Sequence, residues 1–136
     1  MQQKYWDGCA NISYEKQKEI TNRLRQTLED IRQICRDDIL KAKQLADEYE
    51  NDDKDPMVDY KFYVCIKNIS LSCSKMMQDL AGEVISHSVN ILRNEPPCDF
   101  NAVTLGSLAR GEATPYSELE YLFLIENRTA TSVQYF

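Results

Sequence analysis

Between Ser13 and Glu50 the sequence contains neither glycine nor proline, and that gap constrains the fold more than any other feature. A stretch so free of backbone breakers runs as one helix when its apolar residues recur with a helical period. They do: Ile20, Leu24, Leu28, Ile31, Cys35, Ala42, Leu45 and Tyr49 fall at spacings of three, four or seven, one stripe along one face. Ser13 is placed to cap this helix, and Glu15 sits favourably in its first turn. Asp38 interrupts the stripe beside Ile39, which leaves room for a local bend there. The acidic turn "ENDDKDP" follows, and Asp55-Pro56 reads as an N-cap with proline in the first helical position.

A second stripe runs Phe62, Ile66, Ile69, Cys73, Met76, Leu80, Val84, His87, Ile91 and stops at "RNEPP". Two helices, roughly 13–50 and 57–93, joined by so short a turn should pack antiparallel. Residues near Leu45 would then meet those near Phe62, and residues near Leu24 those near Val84. Gly82 reads as a point of close helix approach. His87, the only histidine, falls on the apolar face and reads as a hydrogen-bonded packing residue, though nothing nearby in the sequence supplies a partner.

After Pro96-Pro97 the pattern changes. "FNAVTLG" and "YLFLI" are short, apolar and bounded by turn residues, as strands of a covered sheet are. "RTATSVQYF" resembles neither a polar tail nor a finished element. The whole reads as α+β: a helical region over 1–95, then 96–136 as the start of a sheet-bearing domain.

With 136 residues, 43% of them hydrophobic, the chain suits one modest core. It has no long apolar run for a membrane span and no basic-then-apolar leader, so a cytoplasmic protein is the default expectation. The five cysteines are scattered without a CxxC pair, and Cys35, Cys65 and Cys73 in apolar stretches read as buried thiols rather than a zinc site. Net charge is −6; residues 94–136 hold Arg110 and Arg128 against six carboxylates. That balance repels a phosphate backbone and argues against direct nucleic-acid binding by this segment.

Chemistry concentrates in "LGSLARGEATPYSELEYLFLI", residues 105–125. A strand ending at Leu105 delivers Gly106-Ser107 to a sharp turn where the backbone can approach a ligand closely. If a short helix or nest begins there, its N–H groups and the Ser107 hydroxyl face an anion, most naturally a phosphate. Ten residues on, Glu118 and Glu120 start the next strand. Alternation puts both carboxylates on one face and Leu119 on the other. A carboxylate pair beside a phosphate-binding turn suits Mg²⁺, which would bridge protein and triphosphate oxygens.

This stretch resembles the Gly-Ser motif and carboxylate pair of the polymerase-beta-like nucleotidyltransferase superfamily. It is more closely similar to the N-terminal catalytic domain of protein-PII uridylyltransferases and related putative nucleotidyltransferases. Gly106 and Ser107 match the family's turn; Ala109, Arg110 and Glu112 match its middle segment. Pro115 and Ser117 match its approach to the carboxylates, and Leu122 to Ile125 match its strand. The resemblance covers residues 103–125.

It implies a mixed sheet of which two strands are present here, and transfer of a nucleotidyl group, uridylyl being the closest case, from a nucleoside triphosphate with Mg²⁺. Glu118 and Glu120 would be the catalytic, metal-holding pair, and Gly106, Ser107 and Arg110 would bind phosphate. Arg110 has a second reading, as a clamp on Glu112. Two departures stand out: both carboxylates are Glu where the family has Asp, and the family's third carboxylate, on a later strand, would have to lie beyond Phe136. The chain therefore reads as the first part of a longer catalytic fold, inactive by itself. The alternative is an inactive relative, a scaffold or nucleotide-binding module that acts through its helix pair, with the helices open to self-association.

Overall fold

A computed structural model describes residues 14–49, 56–92 and 95–136, so the caps expected at Ser13 and Asp55 lie outside the described residues. The architecture is α+β. Helix α1 (Tyr14–Tyr49) and helix α2 (Pro56–Leu92) are followed by strand β1 (Phe100–Thr104), the short helix α3 (Gly106–Arg110), strand β2 (Tyr121–Ile125) and helix α4 (Ala130–Tyr135). No helix among the described residues is long and apolar enough to cross a membrane.

The two long helices form the expected antiparallel hairpin. Cys35 of α1 meets Cys73 of α2, and further along Arg23 meets His87. As the α1 number falls the α2 number rises, which only opposed helices allow. Helix α1 passes Asp38 without a break. There the carboxylate simply takes Lys41 at 3.3 Å, as an i,i+3 pair on the solvent side does.

The core cluster gathers Ile31 and Cys35 from α1, Cys73, Met77 and Leu80 from α2, and Leu108 and Ala113 from the segment beyond the hairpin. Leu24, Leu28, Met76 and Leu119 pack against it. The second stripe was thus one residue off at its centre: Met77 is fully buried, whereas Met76 is half-buried. Helix α2 receives α1 on one side and the α3 segment on another, so its buried face is wider than one stripe. Burial pushes the Cys73 thiol up to about 12, with a hydrogen bond to Cys35 and the charge of that neighbour adding to the effect. All four described cysteines are free thiols.

Gly82 is not a point of close approach. It is exposed, and a Cβ built there meets nothing within 4 Å. His87 does have a partner, supplied from the other helix: Arg23 Nη2 lies 2.7 Å from His87 Nε2. Arginine only donates, so Nε2 accepts and the ring proton sits on Nδ1.

Strands β1 and β2 pair antiparallel, with Phe100 opposite Ile125 and Thr104 opposite Tyr121. Glu126 N–H to Asp99 O and Leu105 N–H to Glu120 O, both 2.9 Å, continue the ladder past each end. On one face Phe100 and Phe123 stack edge to face at 5.8 Å, and Phe136 lies 4.8 Å from Phe100. Phe136 is carried there by α4, an element the sequence reading did not anticipate. Its start is a capping box: Thr129 accepts from the Ser132 amide, and Ser132 returns a bond to the Thr129 amide at 2.9 Å. The opposite face, with Val103, Leu122 and Leu124, is exposed rather than covered.

Candidate functional site

Leu105 leaves β1 extended, and Gly106 then takes φ +58°, a left-handed value that most side chains resist. This turn starts α3, as the sequence predicts. The short helix has no side-chain cap at its N-terminus, so the amides of its first turn are left open there. Its other end closes at Gly111, φ +70°, whose amide returns to the Leu108 carbonyl at 3.3 Å. A Cβ at Gly111 would meet only the terminal methyl of half-exposed Leu71, which can shift, so the positive φ is the reason for glycine here.

What holds α3 in place comes from α2. Leu108 is buried in the shared core, and Gln78 Nε2 donates to the Leu108 carbonyl at 3.0 Å. The Ala113 amide donates to Ser74 Oγ at 3.0 Å, and Ser74 Oγ donates to the Ser70 carbonyl at 2.8 Å. Ser74 and Gln78 are the residues that sequence reasoning missed. A serine on the inner side of an apolar helix face, one turn before another polar residue, was the signal available: buried polar groups need partners.

The segment then turns on its own side chains. Ser117 Oγ accepts from the Thr114 amide at 2.9 Å and from Ser107 Oγ at 3.2 Å. The Ser107 hydroxyl is therefore aimed at Ser117, ten residues away, and not into open solvent. Pro115 is buried behind it.

Glu118 and Glu120 lie just ahead of β2, which begins at Tyr121, although the Leu105–Glu120 bond continues the strand pairing to Glu120. The expected alternation holds: both glutamates are exposed, and Leu119 between them turns inward to the core. Glu120 folds over the turn, its Oε2 only 2.5 Å from where a Cβ on Gly106 would stand. The structure thus brings together the Gly106 turn and one carboxylate of the pair. Arg110 does not join them. Its Nε pairs with Glu112 Oε2 at 2.7 Å, with both side chains 61% exposed, so the clamp is solvent-screened and of small energetic weight.

Among the described residues no group of three or more His, Cys, Asp or Glu side chains is arranged to hold a metal ion. Magnesium commonly takes only one or two protein carboxylates and completes its shell with phosphate oxygens and water. Two carboxylates alone make no dedicated protein cage; the Glu118–Glu120 pair could serve a cation only with ligands from a bound molecule and water.

No family model, curated protein or solved structure matches this chain.

Proposed function

We propose that residues 105–125 are the phosphate- and Mg²⁺-binding corner of a nucleotidyl-transfer centre. The observation that carries the reading is the seating of the Glu120 carboxylate against the left-handed Gly106 turn, beside the uncapped start of α3. Donors for anionic oxygens and a carboxylate for a cation then face the same small volume. A nucleoside triphosphate bound there would present its α-phosphorus to an acceptor nucleophile in line with the departing pyrophosphate.

Within that reading the Gly106 and Ser107 amides bind phosphate oxygens, and Ser107 Oγ, through Ser117, keeps the turn in shape. Glu118 and Glu120 would hold Mg²⁺, which when bound offsets the triphosphate charge. Arg110 reaches phosphate only by leaving Glu112, at small cost because that pair is exposed. The absence of a third ligating side chain among the described residues favours, as a second reading, a nucleotide-binding scaffold without turnover.

The test is titration of residues 1–136 with UTP and the other nucleoside triphosphates, followed by amide NMR shifts. Weak, Mg²⁺-dependent shifts at Gly106, Ser107 and the 118–120 backbone are expected, and they should vanish in Glu118→Gln and Glu120→Gln. Where nucleotidyl transfer is assayed, these two variants should slow it more than Ser107→Ala, while the double Glu→Asp variant should retain or raise activity. Gln variants with full Mg²⁺-dependent activity would remove the carboxylates from the metal site. Mg²⁺-dependent turnover by residues 1–136 alone would show that another group replaces the third ligand.

A further inference from the structure

Toward the N-terminal end of α1 the hairpin opens into a groove of about 680 Å³. Ile20, Leu24 and Leu28 line one wall and Leu80, Val84 and Ile91 the other. From Gln17 to Leu28 the groove follows about 17 Å of helix, at 1.5 Å rise per residue. It is long and mostly apolar, with a volume in the range of small-molecule sites.

Its charge is one-sided. Among the described residues Arg25 lines the groove with no ion-pair partner, and none of those lining it is Asp or Glu. His87 lines it too, with its Nε2 already taken by Arg23, and Glu83 reaches only Arg23, at 3.9 Å. An occupant with an apolar length and one anionic end satisfies both the walls and Arg25. A cationic or doubly polar one does not.

We propose that this groove is a binding site for one amphiphilic anion, a free long-chain carboxylate, with its chain between the helices and its head group on Arg25. Leu119 closes the groove from the sheet side, and its chain neighbours are Glu118 and Glu120. Occupancy therefore bears on the backbone between those two glutamates. The site itself does not depend on the function proposed for them.

The experiment titrates residues 1–136 with dodecanoate below its micellar concentration, by calorimetry and by NMR. One saturable site per chain is expected, with methyl shifts at Leu24, Val84 and Leu119 and amide shifts at 118–120. Arg25→Gln, at an exposed position where folding should be unaffected, should weaken dodecanoate roughly ten-fold or more, as loss of a charge-assisted hydrogen bond does. The same substitution should leave dodecanol unchanged.

Equal affinity for dodecanoate and the dodecyltrimethylammonium cation would overturn the charge assignment, and with it the proposal. So would association with phosphatidylglycerol vesicles without saturable uptake of free dodecanoate. Nuclear Overhauser contacts to Leu24 and Val84 from residues 1–13 or from a second copy, not displaced by dodecanoate, would overturn it as well.

Discussion

Gly82 sits in the middle of α2, exposed, with open space where a side chain would go. Helical glycine loses more backbone freedom on folding than alanine does, so Gly82→Ala should stabilise the protein by about 0.5–1 kcal/mol. Urea midpoints of the two proteins check this. Gly106 is the opposite case. Alanine there must hold φ +58° at a cost of about 1–2 kcal/mol, and its methyl must also push Glu120 off the turn. Gly106→Ala should therefore be destabilised in the same assay. Sequence reasoning placed Gly106 at a sharp turn correctly because a glycine after a strand, before a polar turn, has few other uses. It misassigned Gly82 because a gap in a stripe and a space at an interface are spelled alike. Nothing in the structure explains why glycine stands there.

Whole elements show the same division. Both long helices were legible because their burial follows a local period, and β2 because five apolar residues in a row leave few options. Helix α4 was not, because its capping box uses serine at the position where Glu or Gln usually signals one. Nor was the seating of α3, which depends on residues thirty and thirty-nine positions away in α2. That seating is testable through Ser74. Ser74→Ala leaves the buried Ala113 amide without an acceptor, which costs about 1–3 kcal/mol. Much faster hydrogen exchange at the Ala113 amide, with smaller changes in the middle of α1, is the expected result. Equal acceleration everywhere would mean that Ser74 supports the hairpin at large and not the turn.

At the scale of the molecule, hairpin and turn segment share one core, and Leu108 joins them. Leu108→Ala should cost about 2–5 kcal/mol and lower the unfolding midpoint of the helices themselves, read by far-ultraviolet circular dichroism. Melting of the helices at an unchanged midpoint would show two independent units. The same core sets an alkaline limit. Folded, Cys73 keeps its proton up to about 12, while its ordinary value is 9.0. The native state holds that proton more tightly, so the stability it contributes is whole below about pH 9 and is lost as pH climbs toward 12. Urea midpoints of wild type and Cys73→Ala, taken at neutral and strongly alkaline pH, should converge as the pH rises.

Leu108 and Ala113 pack into a core walled by α1 and α2, so the covalent link through Pro96 and Pro97 is not the parts' only connection. A chain nicked there should behave as a two-piece complex. The longer fragment would offer a vacant socket, the shorter one the plug, and mixing them should restore native dichroism at a concentration-dependent midpoint. A gene split at this point would thus encode halves that find one another, and neither half could be exchanged for a foreign one without refitting that socket.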